Sequence, residues 1–395
     1  MSNKIHVLVI PSYYPRFDGD YLGSFWREQA LGLSKNNCKV GVIYPELESL
    51  RSKRKIRIFP KFDYHNDENI PTYRFLWTNW FIKLRGLQIL AFQKLGMVLF
   101  KKYIKQHGLP DIIHCQSIFN AGFLGEHIFK RYKTLYVLNE VNSGFLYKNQ
   151  NLETYYDDVI RIAGRSEKCF TVSSTYSKHL NTELSNNIEW EVHHNIVSDL
   201  FLKAKIQPYP KNKFIFISIA RLHKVKNFPL IIKSFALFSK LISNSQLNIV
   251  GTGSELKNLK KLANDLQIND KINFLGRKDR ADVVEEINKS SAMLHGCIYE
   301  TFGVVLVESL ALGRPVIAAK SPGAEDIITN KVGLTTENDE QKMCESMLYM
   351  YKNFNSYNIN EIRDYCTLHF SEKELSIKLI NHYSSILKEK KIEEL

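Results

Sequence analysis

Short continuous apolar runs alternate with segments of helical period almost from one end of the chain to the other, and that alternation leaves few folds open. Strand candidates fall at 5–10, 39–44, 111–115, 134–138, 168–172, 189–193, 214–219, 246–250, 271–275, 291–294 and 315–319. Helix candidates lie between them, near 24–35, 83–106, 120–131, 152–164, 227–242, 254–266, 280–289, 303–312 and 338–352, with a last helix at about 371–389. Apolar strands separated by helices require parallel sheets covered on both faces. The chain is therefore expected to be α/β and doubly wound.

The alternation breaks once, at 199–213, where Gln207-Pro208-Tyr209-Pro210-Lys211-Asn212-Lys213 has the composition of a linker. It restarts at Phe214-Ile215-Phe216-Ile217-Ser218-Ile219 as the first strand of a second sheet. A length of 395 residues suits two such domains. Open sheets of this kind bind ligands at the carboxyl ends of their strands, so the loops that follow the strands are where chemistry is sought.

Four of those loops stand out. The strand 214–219 runs into Ala220-Arg221-Leu222-His223-Lys224-Val225-Lys226-Asn227 and then a helix. Arg221 and Lys226 thus sit at a strand end beside a helix N-terminus, where a diphosphate is held by planar bidentate and point-charge donors. Two cations in a loop are otherwise ordinary surface charges. Gly251-Thr252-Gly253-Ser254-Glu255 follows the next strand, and neither a P-loop nor a full G-x-G-x-x-G can be read there. Gly276-Arg277 ends a further strand at the same edge.

The fourth loop is Glu300-Thr301-Phe302-Gly303, which opens a helix that runs to Leu312 and stops at Gly313, with Glu308 inside it. Free N–H groups and the positive dipole end at Gly303 favour an anionic or hydroxyl-rich ligand. Eight helical positions would set the two carboxylates' α carbons roughly 12 Å apart. A glycosidase pair needs its carboxyl groups about 5 to 9.5 Å apart, so Glu300 and Glu308 are better placed to hold two ends of one long ligand. Glu308 lies in a helix that is apolar nearly all round, and a carboxylate there needs a partner.

Bulk properties exclude several classes. The six cysteines, Cys38, Cys115, Cys169, Cys297, Cys344 and Cys366, show no C-x-x-C pairing, which argues for reduced thiols and against a structural zinc site or disulfide framework. The apolar run near the N-terminus is too short for a signal peptide and is expected to be a buried strand. Gln93 and Lys94 interrupt the best membrane-span candidate, 87–100. The formal net charge is +13, and 51–105 alone holds thirteen Lys or Arg against three Asp or Glu. Phe59, Phe62, Tyr64, Tyr73, Phe75, Trp77, Trp80, Phe81, Phe92, Phe100 and Tyr103 are interleaved with those cations. This mixture suits an anionic membrane surface, single-stranded nucleic acid, or a solvated basic face over core aromatics.

Taken together, Arg221-Leu222 with Lys226-Asn227, Gly251-Thr252-Gly253-Ser254-Glu255, Phe274-Leu275-Gly276, Glu300 to Glu308, Gly313-Arg314-Pro315-Val316-Ile317 and Gly323 resemble the family 4 glycosyltransferases of GT-B fold. The first half matches more loosely, through Gly23-Ser24-Phe25-Trp26-Arg27-Glu28-Gln29-Ala30-Leu31, Asp111-Ile112-Ile113-His114 and His194-Asn195-Ile196-Val197. The resemblance implies two Rossmann-like domains facing a central cleft: an acceptor-binding domain at 1–200, a linker at 201–213, a nucleotide-sugar-binding domain at 214–370, and a final helix, 371–389, packing back on the first domain. It further implies that Arg221 and Lys226, with Gly23, bind the donor diphosphate. Glu300 with Phe302, Gly303 and Val304 would hold the sugar, Glu308 the ribose and Arg277 the base. Arg221, Lys226 and Glu300 would be the catalytic residues.

On the acceptor side the resemblance points to His114 and Glu140. This sequence departs from the pattern there, with Val141 in place of a common His and Gln116 in place of another, and His114 reads equally as a hydrogen-bonded strand-end histidine. The usual Pro-Ser before the first glutamate is also absent from His295-Gly296-Cys297-Ile298-Tyr299. The implied enzyme retains anomeric configuration and needs neither metal nor cofactor, with a UDP- or GDP-linked sugar as co-substrate. Its acceptor is a glycan or lipid-linked glycan for cell-surface polysaccharide. It is expected in the cytoplasm, peripheral on the inner face of the plasma membrane through 51–105, with no nucleic-acid partner. Two other readings remain: a nucleotide-sugar epimerase or sugar-phosphate synthase of the same fold, and a non-catalytic basic protein that binds nucleic acid.

Overall fold

The computed structural model describes residues 4–16, 20, 23–50, 56–81, 84–146, 150–184 and 188–393. Residues 51–55 of the basic segment and Lys83, where the second helix candidate begins, lie outside the described residues. The chain divides into two compact units. Unit 1 comprises Met1–Val172, Ser177–His193 and Glu372–Leu395, and unit 2 comprises Ser173–Tyr176 and His194–Ser371.

Unit 1 holds eight strands: β1 (His6–Pro11), β2 (Lys39–Ser49), β3 (Lys61–Asp67), β4 (Ile70–Asn79), β5 (Ile112–Gln116), β6 (Leu135–Glu140), β7 (Lys168–Thr171) and β8 (Trp190–Val192). Their order in the sheet is β3-β4-β2-β1-β5-β6-β7-β8, and every described pairing except β3 with β4 is parallel. All residues of β1 and β5 are buried, as strands covered on both faces must be. Edge strand β3 is by contrast half-buried to exposed along its length. The long helix Glu372–Glu393 belongs to this unit, where Glu372 accepts from Lys35 at 2.6 Å and Tyr383 reaches His114.

The β3–β4 hairpin is a structure that the periodicity argument did not anticipate. Its turn, Glu68-Asn69, has positive φ at both residues, 47° and 72°, the geometry of a two-residue hairpin that usually calls for glycine. The structure also divides the aromatics of 51–105 between core and surface. Tyr73, Phe92, Phe100 and Tyr103 are core residues, whereas Phe59, Phe62, Tyr64 and Trp80 are exposed. Arg74 is buried too, donating to the Pro15 carbonyl and standing 3.9 Å from Glu46.

Unit 2 holds β9 (Phe214–Ile219), β10 (Ser245–Val250), β11 (Ile272–Gly276), β12 (Ala292–His295), β13 (Val316–Ala319) and β14 (Gly333–Thr336). The sheet is parallel in the order β11-β10-β9-β12-β13-β14. Strand order reverses between β9 and β12, so the crevice that an open α/β sheet offers to ligands falls where those two strands end. Residues 201–213 are anchored to this unit. Buried Arg314 donates to the carbonyls of Gln207 and Asn288 at 2.7 and 2.8 Å, and the Tyr209 hydroxyl donates to the Gly313 carbonyl at 2.9 Å. Burial of the Arg314 guanidinium pulls its pKa down to about 10.

Candidate functional site

The site in unit 2 is built from loops that leave the sheet at one edge. After β9 the chain makes a short turn, Lys224–Lys226, passes through Asn227 in the left-handed region (φ 48°), and enters the helix Phe228–Leu241 with Pro229 in its first turn. After β12 it runs from His295 to Gly303, whose φ of 90° caps the helix Val304–Ala311. A Cβ at Gly303 would lie 2.8 Å from Leu306 Cδ1 in a conformation that L side chains rarely adopt, so only glycine fits. After β10, Gly251 (φ 141°) passes so close to the Ala220 carbonyl that a Cβ would lie 1.9 Å from its oxygen. That approach packs the loops after β9 and β10 together.

The structure joins two of the expected site residues directly. Lys226 Nζ donates to Glu300 Oε2 at 2.6 Å, bridging the loops after β9 and β12 at the point where strand order reverses. Burial alone would raise the Glu300 pKa, but the Lys226 ammonium and the His295 imidazole overcome it and hold the carboxyl at about 2. Burial likewise opposes the charge on Lys226, and Glu300 together with the Cys297 thiol against it raises its pKa above the ordinary value. The result is a preformed ion pair, side chains 30% and 16% exposed, ready to meet a ligand's opposite charges.

The other expected donor residues of unit 2 lie on its loops and on the helix Val304–Ala311. Arg221 is exposed, its Nη2 3.1 Å from His223 Nε2. Arg277 is exposed just beyond β11. Phe302 is buried, with the His194 ring 5.7 Å away, and Val304 is half-buried at the helix start. Glu308 has the partner that its apolar helix demands: Arg280 Nη2 stands 3.8 Å from its Oε1. Arg280 was missed in the sequence, as were His295 and Cys297 as chemical groups. Arg280 opens the helix Arg280–Asn288, capped by the Asp279 carboxylate, and its position three residues after Arg277 was the available signal.

Three expected site residues lie in unit 1. Gly23 (φ 75°) caps the helix Ser24–Lys35 with its Cα against the Tyr13 carbonyl, a close approach that a side chain would block. His114 and Glu140 are both 0% exposed. His114 Nδ1 is bonded to the Tyr383 hydroxyl at 2.5 Å, and burial lowers its pKa to about 3, an arrangement that fits the hydrogen-bonded strand-end reading. Glu140 accepts from the backbone N–H groups of Ile118, Val141 and Asn142 at 2.9, 2.8 and 2.7 Å, tying together the loops after β5 and β6. Burial outweighs those bonds and raises its pKa. One cavity of unit 1, of about 480 Å³, lies elsewhere, at the ends of β1, β2 and β4, lined by Tyr13, Tyr14, Asp20, Tyr44, Glu46 and Asn79 among others.

Comparison with known proteins adds three findings. Residues 201–358 match the model of the family described as "Glycosyl transferases group 1". Among curated proteins, an alpha-monoglucosyldiacylglycerol synthase of Streptococcus pneumoniae is 26% identical over 249 residues, 58% of this chain and 56% of that protein. An uncharacterised glycosyltransferase of Haemophilus influenzae is 30% identical over 153 residues, 36% and 43% of the two chains. The matched segments thus span little more than half, or less, of these relatives' length. Among solved structures, a sucrose-phosphate synthase from Thermosynechococcus elongatus superposes with a TM-score of 0.77 at 16% identity, over 98% of this chain and 100% of that one. The Anabaena protein HepE in complex with UDP and glucose does so with a TM-score of 0.71, also at 16% identity, over 96% and 100%. These likenesses establish the fold as GT-B.

Proposed function

We propose, for a chain that residues 201–358 make a member of the group 1 glycosyltransferases, that it transfers a sugar from a UDP- or GDP-linked donor to a glycan or lipid-linked glycan acceptor. The observation that carries this reading is the Lys226–Glu300 ion pair at the point where the unit 2 sheet reverses its strand order. Lys226 and Arg221 are assigned to the diphosphate. Glu300 and the backbone of Phe302, Gly303 and Val304 are assigned to the sugar hydroxyls, Glu308 to the ribose and Arg277 to the base. The Arg280–Glu308 pair supports the ribose role, because a guanidinium at 3.8 Å gives the carboxylate a partner in its apolar helix, and a carboxylate can accept from two vicinal hydroxyls.

In the proposed reaction the bond from the anomeric carbon to the diphosphate oxygen breaks, and its electron pair leaves with the diphosphate. Two fixed cations stabilise that charge without reorganising, so no metal ion is required. The acceptor oxygen bonds to the same face of the anomeric carbon and gives its proton to a diphosphate oxygen, with retention of configuration. Complete burial of His114 and Glu140 supports a route without a protein base. The acceptor is assigned to the unit 1 cavity, whose tyrosines, Asn79 and carboxylates suit a hydroxyl-rich molecule. A role in polysaccharide assembly follows as part of the same proposal.

The test is thermal stability of the chain against a panel of UDP-, GDP- and ADP-sugars. One nucleotide should stabilise it by about 2.7 kcal/mol at a hundred times its dissociation constant. No shift with any of them, at concentrations that saturate ordinary transferases, would sink the proposal.

A peripheral membrane position is the second part of the proposal. No described helix is long and apolar enough to cross a membrane. Instead, Phe59, Trp80, Leu84, Leu87 and Leu90 are exposed, and the helix Arg85–His107 carries an exposed stripe that changes from Leu87 and Leu90 to Lys94, Lys101 and Lys105. Exposed apolar groups beside lysines fit an anionic interface. The chain should co-sediment with phosphatidylglycerol-rich vesicles, less so in high salt and less so in a Trp80→Ala, Leu87→Ala variant. Equal sedimentation with neutral vesicles would count against it.

A further inference from the structure

The loop after β12 holds two donor atoms, on His295 and Cys297, that the proposed sugar transfer does not use, beside the Glu300 carboxylate that it does. His295, Cys297 and Glu300 each present one, an imidazole nitrogen, a thiol sulfur and a carboxylate oxygen, and the three lie within 4.8 Å of one another. His295 is 3% exposed and Cys297 0%. The Nε2 of His295 stands 3.4 Å from Glu300 Oε2 and has no hydrogen-bond partner. That contact helps to draw the Glu300 pKa down, yet it is not a well-formed hydrogen bond, so the buried nitrogen is open to a better partner. What fills the trio's charge requirement here is the Lys226 ammonium, on Glu300 at 2.6 Å and against the Cys297 thiol. The cluster is a cation site with a cation of the chain's own in it.

The donor set selects the class of ion that can replace that ammonium. One imidazole, one thiolate and one carboxylate match Zn²⁺, which binds N at about 2.0–2.1 Å, S at about 2.3 Å and O at about 2.0–2.2 Å. Tetrahedral ligands at those lengths stand roughly 3.5 Å from each other, which the trio reaches by a contraction of about 1 Å. Mg²⁺ and Ca²⁺ would find a single hard oxygen and have no reason to enter.

We propose that His295, Cys297 and Glu300 form a zinc-binding site, and that its occupation excludes the Lys226–Glu300 ion pair. On binding, the Cys297 thiol loses its proton to solvent, its sulfur takes a coordination position, and water completes the tetrahedron. Lys226 is repelled from a site that now carries the ion's charge. Zinc thereby removes both the sugar carboxylate and the diphosphate cation at once, and acts as a competitive inhibitor of nucleotide-sugar binding. The inhibition rests on the transferase reading, whereas the metal site does not.

The experiment is a titration of the purified, metal-free chain with Zn²⁺ against a chromophoric chelator, with no nucleotide present. One Zn²⁺ per chain is expected. Outer-shell partners alone are worth about 10–100-fold in metal affinity, so Cys297→Ser and His295→Gln should each weaken binding by at least tenfold. Co²⁺ should give a thiolate charge-transfer band that Cys297→Ser abolishes. Lys226→Ala, which removes the competing ammonium, should bind Zn²⁺ more tightly than the parent chain. Absence of binding, binding unchanged in both ligand variants, or weaker binding by Lys226→Ala overturns the site. If the metal-free chain binds no nucleotide sugar, the transferase reading falls while the zinc titration still stands or fails by itself.

Discussion

Replacing Lys226 with alanine is expected to reduce sugar transfer by about 10²–10³-fold, the loss seen when one preorganised donor to developing negative charge is removed. The same substitution strips a buried carboxylate of its counter-ion. Glu300 is held at about 2 against an ordinary value of 4.5, a difference worth about 3 kcal/mol at neutral pH. The sign is that of a depressed carboxylate: the stabilisation is complete above pH 4.5 and is lost as pH falls toward 2. Lys226→Ala should therefore be both inactive and less stable at pH 7, with a weaker acid dependence. A double variant, Lys226→Met with Glu300→Gln, separates the two effects. It should regain most of the lost stability, since no unpaired charge is left, and none of the activity. Full turnover by Lys226→Ala, or activity recovered along with stability, would mean that the pair is a structural bridge only.

The unit 2 loops were legible because each follows the same local grammar of apolar strand, then glycine or cation, then helix. Arg221, Lys226 and Glu300 could be assigned to one sheet edge without knowing which strands were neighbours. That Lys226 meets Glu300, 74 positions away, depends on β9 lying beside β12, a pairing that no local pattern encodes. Arg280 as partner of Glu308 depends on the packing of two helices 28 positions apart, whereas His295 and Cys297 share one loop with Glu300 and went unread because they match no metal-ligand spacing. The spacing argument about Glu308 did foresee that it needs a partner, and only the partner's name was missing.

Unit 1 was harder to read for a different reason. The β3–β4 turn, Glu68-Asn69, carries positive φ on two residues without glycine, so the usual hairpin signal is absent. With the hairpin unseen, alternation such as Tyr73, Phe75 and Trp77 looked like rings interleaved with cations on a surface. Pairing β4 against β2 buries Tyr73 and Arg74 instead. His114 illustrates a further limit, because a histidine at a strand end reads equally as ligand or core until the element that covers it is known. Here the cover is the helix Glu372–Glu393, 269 positions away along the chain at Tyr383.

His114 should make unit 1 sensitive to acid in a way that one substitution relieves. Burial lowers its folded pKa from 6.5 to about 3, so between those values the unfolded chain binds a proton that the folded unit refuses. Stability must then fall with pH by up to about 1.4 kcal/mol per unit across that window, and stay level with respect to this group above pH 6.5. His6, lowered to about 4 chiefly by burial, adds a slope of the same sign. His114→Gln keeps a polar partner for the Tyr383 hydroxyl and removes the titration. The variant should lose about 1–3 kcal/mol at pH 8 through poorer packing and hydrogen bonding, yet converge on the parent chain as pH falls to 5. Trp26, Trp77, Trp80 and Trp190 are all in unit 1, so tryptophan fluorescence during urea unfolding reports that unit without interference from the other. Parallel stability lines for the two proteins between pH 5 and 8 would show that the imidazole takes its proton in the folded state. That outcome would place His114 in contact with solvent and return it to the acceptor side of the reaction.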